Sequence, residues 1–381
     1  MLETFLNNKP LFYDEIDYSR MPRVYISIKK SLKIPKIIHI IGTNGKGTTG
    51  RFLATALHSL GYKVGHYTSP HILKFHERIW LNGRDVEDDV LEEAHRKLLT
   101  LLSQNDADSL SYFEYTTLLA IVLYEHMDYI VLEAGLGGEY DATAVFPKLF
   151  TLVTPIAKDH EAFLGDDIKS IAKTKLNAIE NEAILAKQSC MEVYAVAQEL
   201  EEHKKIKTYS LEVFINDADK VKIEKIAQEN DLVEYLVDNL TLAISALKYL
   251  GISYSVENFS QSKLYGRLTQ FRKNIILDVG HNILAARSIQ KSLQGKRYTL
   301  IYNSYKDKNY KEILCLLQPI ISDVELIEVC DARVESMDVM QKVVENLSLK
   351  CSKFQQIEEE KEYLVFGSFS VVEAFLKACS E

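Results

Sequence analysis

The sequence predicts an α/β protein with two domains, and three observations predict it. Short apolar runs alternate with helix-period stretches along the first two-thirds of the chain, as strands and crossover helices of a parallel sheet do. One apolar run leads directly into a glycine-rich turn and a helix-like stretch, KIIHIIGTNGKGTTGRFLATAL at 36–57. A second, shorter series of strands and helices follows, and 381 residues is long for a single core.

Taken in order, strands are expected at 36–41, 63–67, 128–134, 149–154 and 182–186, with helices near 47–60, 87–103, 112–127 and 167–180. The run LVEYLVDNLTLAISALKYLG reads as a helix that stops at Gly251. A boundary at 260–266 then separates a first domain, 1–262, from a second, 266–381, whose strands are expected at 274–278, 298–302, 324–329 and 363–366. There is no internal repeat or low-complexity tract, and with only seven prolines the linker should be short.

The composition, 47% hydrophobic and 26% charged, is that of a globular chain. A formal net charge of -9 argues against a general nucleic-acid binder, which needs a basic surface. The five cysteines form no CxxC pair and read as reduced thiols rather than metal ligands. The first twenty residues lack the apolar core of a signal peptide, and no run approaches the roughly 20 apolar residues of a membrane span, so a cytoplasmic location is expected.

A strand, a glycine turn and a helix gather backbone N–H groups and a helix N-terminus around one point, which makes an anion site. Lys46 adds a charge suited to terminal phosphates, and the Thr48 hydroxyl can reach a magnesium ion. The plainer reading is an ordinary Gly/Asn turn before a helix. The spacing departs from GxxxxGK[ST]: two residues separate Gly42 from Gly45, and Gly47 follows Lys46.

HIIGTNGKGTT resembles the nucleotide loop of the folylpolyglutamate synthases, a branch of the Mur ligase group of ATP-dependent amide-forming enzymes, in which a glycine after the lysine marks the folate branch. The resemblance covers nearly the whole chain. It implies a phosphate-loop, Mur-ligase-like N-terminal domain and a smaller Rossmann-like α/β C-terminal domain. It also implies nucleotide contacts from Asn44, Gly45, Lys46, Gly47, Thr48 and Asn239.

Further motifs occur in the family's order. In TSPHILKFHERIWLNG, Ser69 would ligate magnesium, and His71 and Arg78 belong to the folate-site segment. DYIVLEAGLGGEYDATAVF places Glu133 at a strand end, where the family binds magnesium, and Tyr140, Asp141 and Ala142 beside the substrate. LFTLVTPIAKDHEAFLGDDIKSIAKTK supplies His160 at a second magnesium position and Lys175 where the family carries a lysine carbamate. An exposed helical lysine is the alternative there, because KTKLNAI departs from the family pattern. In SYFEYTT, Tyr112, Phe113 and Glu114 resemble the pteroate-contacting segment, although an aromatic stripe on a helix also suits a core.

YGRLTQFRKNIILDVGHNILAA resembles the second-domain segment that closes on the nucleotide. In it Arg267 would meet phosphate, Asp278 the nucleoside, and His281 would lie near the phosphates. Three departures stand out. Glu139 replaces the usual arginine after the double glycine, Ala144 replaces an asparagine, and Asn309 stands where an aspartate is common.

The implied activity joins L-glutamate to dihydropteroate and to reduced folates through an acyl phosphate. ATP and two magnesium ions would take part, with Lys46, Glu133, His160 and Lys175 as the catalytic set. A monomer is implied, with no nucleic-acid or membrane partner. The competing readings are another Mur-type ligase and a nucleotide-binding regulatory module without catalysis.

Overall fold

The computed structural model describes residues 1–10, 17–159 and 161–380. They form two compact units, Met1–Leu232 with Leu236–Ser262, and Val233–Tyr235 with Lys263–Glu381.

The first unit is built on an eight-stranded sheet: β1 (Lys36–Ile41), β2 (Val64–Tyr67), β3 (Ile79–Leu81), β4 (Arg84–Asp85), β5 (Tyr129–Glu133), β6 (Phe150–Val153), β7 (Glu182–Leu185) and β8 (Lys207–Ser210). Their order is β4-β3-β2-β5-β1-β6-β7-β8. All pair in parallel except β3 and β4, which form an antiparallel edge. Every β1 residue after Lys36 is buried, as expected of a central strand covered on both faces. Ile37 enters the core shared with Leu98 and Leu118 of the helices Asp88–Leu101 and Tyr112–Leu123. Ile38 and Ile40 enter the opposite core, with Phe52, Leu57, Leu240 and Leu247 of the helices Lys46–Ser59 and Glu234–Tyr249.

The five strands expected in this unit are present within a residue or so of their predicted ends. The β3–β4 hairpin and β8 were not anticipated. The hairpin turns at Asn82-Gly83, both at positive φ, a dipeptide that signals a tight hairpin. β8, KTYS, is an edge strand without a buried face and so lacks the apolar run that marks its neighbours.

The second unit holds six strands in the order β13-β12-β11-β14-β10-β9. These are β9 (Thr269–Arg272), β10 (Ile275–Leu277), β11 (Tyr298–Tyr302), β12 (Ile321–Leu326), β13 (Lys350–Lys353) and β14 (Tyr363–Phe366). Only β9 is antiparallel. β12 begins earlier than the predicted 324, because Ile321 already pairs with Tyr298. Val365, Phe366 and Val371 are fully buried, the core role read from YLVFGSFSVVEAFL. Among the described residues no helix is long and apolar enough to cross a membrane.

Candidate active site

β1 ends in the glycine turn, and the turn is shaped by close approach. Gly42 has φ +138°, and a Cβ there would lie 2.0 Å from Thr154 Oγ1 and 2.8 Å from Thr154 O. The Thr43 amide donates to Pro155 O at 2.9 Å, tying the turn to the segment after β6. Gly45, at φ +90°, precedes the helix Lys46–Ser59, and Asn239 Oδ1 would be 2.3 Å from a Cβ added to it. Asn239, predicted from a distant helix, therefore sits against the loop. Gly47 is a buried first-turn residue of this helix, as a helix start near 47 predicts, and lies outside the positive-φ set. Gly42→Ala is expected to destabilise the first unit by about 2–4 kcal/mol, because a non-glycine φ and an overpacked contact combine, with the shift read in a denaturant titration.

The Lys46 ammonium lies 3.3 Å from Gly42 O, 3.2 Å from Thr43 O and 3.8 Å from Glu133 Oε1. Glu133 ends β5 opposite Ile40 of β1, buried at the carboxyl edge of the sheet, where open α/β sheets bind ligands. Its Oε2 accepts the Thr68 hydroxyl and, at 3.3 Å, the Ser69 amide. Thr68 was not predicted; nothing in YTSPH marks it, since its role comes from a contact across the sheet. The Thr48 hydroxyl is buried without a hydrogen-bond partner among the described residues. Asn44 lies in the same turn, its amide 3.3 Å from Pro155 O.

Lys175 is buried on the helix Ile168–Leu176, not exposed, and its ammonium donates to the same Gly42 carbonyl at 3.0 Å. Burial, reinforced by the Lys46 charge, pushes its amine down to about 7. The glycine loop after β5 packs on this helix: a Cβ on Gly138 would lie 2.4 Å from Lys175 O, and the Glu139 amide donates to Thr174 O at 2.9 Å. Glu139, the charge-reversed departure, accepts the Asn177 amide at 2.8 Å. His160 lies outside the described residues. No cluster of three or more His, Cys, Asp or Glu side chains is placed to hold a metal among the described residues.

Among the residues expected at the substrate, Phe113 packs on Tyr67 at 5.9 Å and closes on Gly135, whose Cβ would meet its ring at 2.6 Å. The Arg78 guanidinium lies 5.3 Å from the Tyr112 ring, and its Nε donates to His71 Nδ1 at 2.8 Å. Burial and the Arg78 charge push His71 down to about 4, so at neutral pH its Nδ1 is free to accept. Tyr140 is exposed and stacks on Tyr18 at 4.5 Å, while Ala142 is buried in a short 3-10 turn.

Two predicted substrate contacts are engaged elsewhere. Glu114 closes a capping box with Ser111 and forms a buried ion pair with Arg20 at 2.9 Å, both through Oε2. Asp141 accepts the amides of Gly135 and Leu136 on one oxygen and the Thr143 amide and hydroxyl on the other, so it orders its own loop. Because the Thr143 hydroxyl donates to Asp141, it accepts from His39, 2.8 Å away, which fixes the proton of His39 on Nε2. Arg20→Ala is expected to cost about 3 kcal/mol by leaving the buried Glu114 charge unpaired, with ATP affinity unchanged; denaturant unfolding and nucleotide titration check the two halves.

In the second unit, Asp278 is buried and accepts the Leu268 amide at 2.9 Å, the Gly280 amide at 2.8 Å and the Tyr235 hydroxyl at 3.0 Å. Burial raises its carboxyl above the usual range, against the pull of Arg267. The Arg267 guanidinium lies 5.2 Å from the Phe369 ring, and His281 Nδ1 is 3.2 Å from Val279 O. Asn309 caps the helix Tyr310–Leu317, with its side chain accepting from Glu312, a task an aspartate would also perform.

The first unit thus defines a phosphate-loop α/β fold with two lysines and a carboxylate at the sheet's carboxyl edge. No family model matches the chain. The dihydrofolate synthase/folylpolyglutamate synthase of Buchnera aphidicola subsp. Baizongia pistaciae is 31% identical, covering 94% of this chain and 90% of its own. The crystal structure of Helicobacter pylori folylpolyglutamate synthetase is 36% identical at TM-score 0.82, covering 100% of this chain and 98% of its own. Escherichia coli FolC in complex with DHPP and ADP is 25% identical at TM-score 0.83, covering 100% and 97%. The chain belongs to the dihydrofolate synthase/folylpolyglutamate synthase family.

Proposed function

We infer that this chain is an ATP-dependent ligase that joins L-glutamate to dihydropteroate and to reduced folates. A carboxylate does not condense with an amine at neutral pH until one of its oxygens becomes a leaving group. Phosphorylation by ATP makes an acyl phosphate and ADP; the glutamate nitrogen then attacks the acyl carbon and expels inorganic phosphate. The observation that carries this reading is the meeting of Lys46 with Glu133, and of Lys46 with Lys175 on the Gly42 carbonyl, at the mouth of a phosphate loop. Here Lys46 offsets charge on the transferring phosphoryl group, and the helix N-terminus and loop amides hold the phosphates.

The residues present fit a hard divalent cation. The buried Thr48 hydroxyl lacks a partner, and Glu133 supplies a buried carboxylate. Thr48, Ser69, Glu133, His160 and Lys175 would hold two magnesium ions, which when bound neutralise the polyphosphate and the developing charge. Lys175 fits carbamate formation: burial lowers its amine to about 7, which gives a substantial uncharged fraction near neutral pH that can attack carbon dioxide. A carbamate carbon signal from protein equilibrated with 13C-bicarbonate, absent in Lys175→Met, would support it. On the substrate side we assign pteroate contacts to Tyr112, Phe113 and Tyr140, and in the second unit nucleotide contacts to Arg267, Asp278 and His281. The five free cysteines agree with a reducing compartment, and we place the enzyme in the cytoplasm as a monomer.

The test supplies purified protein with ATP, magnesium and glutamate, plus either dihydropteroate or tetrahydrofolate, and follows ADP release alongside product mass. Turnover with both acids is expected. Turnover with one restricts the enzyme to that half of the activity, and silence with both removes the reading.

A further inference from the structure

After Lys36, the central strand β1 is four isoleucines and one polar residue, His39, which is fully buried. An isoleucine there would pack at no cost, whereas a buried imidazole is unfavourable unless its ring nitrogens are hydrogen-bonded. Its Nδ1 has no partner among the described residues, so the compensation lies at Nε2. A break of this kind in the local pattern marks a residue kept for a task other than packing.

The Nε2 proton goes to the Thr143 hydroxyl at 2.8 Å, and that hydroxyl gives its own proton to Asp141 Oδ1 at 2.5 Å. Imidazole, hydroxyl and carboxylate form one chain with a single direction, in which each bond polarises the next. Burial, with the Lys148 charge nearby, pushes the imidazole well below its ordinary range, so it is neutral and keeps its proton on Nε2. The carboxylate at the end of the chain is the hub of the loop after β5. Its Oδ2 accepts the Gly135 amide at 3.0 Å and the Leu136 amide at 2.8 Å, and its Oδ1 also accepts the Thr143 amide at 3.0 Å. The Lys148 ammonium closes the far end of the same loop on the Ala144 and Phe146 carbonyls, at 2.7 and 3.0 Å. His39 thus links the hub of an irregular loop to the most rigid strand of the sheet.

We propose that His39 is a positioning residue for the acid substrate: from the central strand, through the Thr143 hydroxyl, it sets the carboxylate that shapes the loop 135–143 and so the placing of Tyr140. This deepens the proposed function and rests on it, because that reading assigns Tyr140 to the pteroate.

The test follows amide hydrogen exchange of peptides spanning 135–143 in the protein without substrate, and KM for dihydropteroate, in the wild type, His39→Phe, His39→Gln and Thr143→Val. Phenylalanine fills the site without a donor, and the glutamine amide can still donate to Thr143. In His39→Phe the loop should exchange about 10-fold faster and KM for the acid should rise about 10-fold, the effect of one buried hydrogen bond, with ATP-analogue affinity unchanged. His39→Gln should recover most of both. In a Thr143→Val background His39→Phe should add nothing, because the chain is already cut. Thr143→Val alone should speed loop exchange in the same way, which keeps the proposal testable where His39→Phe does not fold. Unaltered loop exchange in Thr143→Val or His39→Phe overturns the proposal. Equal losses in the Phe and Gln variants, or additive losses with Thr143→Val, overturn it as well, because they assign His39 to packing. Faster loop exchange with KM for the acid unchanged overturns the positioning of substrate while leaving the ligase reading intact. Wild-type protein that turns over neither acid removes the ligase reading, and the exchange data then still decide whether His39 sets the loop.

Discussion

Replacing Lys46 by Met will lower kcat about 10²- to 10³-fold, the loss expected when one preorganised electrostatic donor is removed from a charge-developing centre. The Lys46 ammonium is held between the Gly42 and Thr43 carbonyls and Glu133 at the glycine turn. Its removal also relieves Lys175 of the nearby charge that helps depress its amine, so Lys175 will titrate higher and be more fully protonated near neutrality. Steady-state ADP release with saturating acid, together with ATP-analogue affinity, measures the effect. Turnover at the wild-type rate would remove the phosphate-loop mechanism.

Replacing Lys175 by Met should separate activity from stability. In the folded protein the amine titrates at about 7, below its ordinary 10.5. Between these values the unfolded chain holds a proton that the folded chain lacks, so stability rises as pH climbs from 7 toward 10.5, and the penalty is complete below 7. The Met variant has no such group. In carbon-dioxide-free buffer at pH 7 it should be more stable by the order of a few kcal/mol, with the pH slope between 7 and 10.5 much reduced, while turnover falls at least 10²-fold. Denaturant titrations at three pH values read the slope. An unchanged slope would mean that Lys175 stays charged in the fold.

Much of this architecture was legible because central strands announce themselves. KIIHII and DYIVLEA are mostly apolar since both faces of the strands are covered, and β1 and β5 fall where these runs lie. β8 and β13 were not legible, because an edge strand with exposed residues carries no apolar signal. The phosphate loop was readable for another reason: backbone amides do its work, and glycine spacing reports backbone shape. Glu114 shows where local reading stops. Ser111 and Glu114 form a capping box visible as S-x-x-E, but the partner that takes up the carboxylate, Arg20, is 94 residues away. The burial of Lys175 was equally hidden, since its neighbours in KTK are polar and its partners come from distant segments, the Gly42 carbonyl at its ammonium and Gly138 against its backbone.

The seating of Gly138 on the Lys175 backbone, with Glu139 clasping Thr174 and Asn177, has a consequence for inheritance as well as for engineering. The loop assigned to substrate and the lysine assigned to chemistry are parts of one block. A relative that changes its acid preference through this loop must re-fit the helix in the same step, and a loop transplanted alone would arrive with its preference intact and its reactive lysine out of place. The segments 134–145 and 168–177 are therefore best exchanged together, as one packed block.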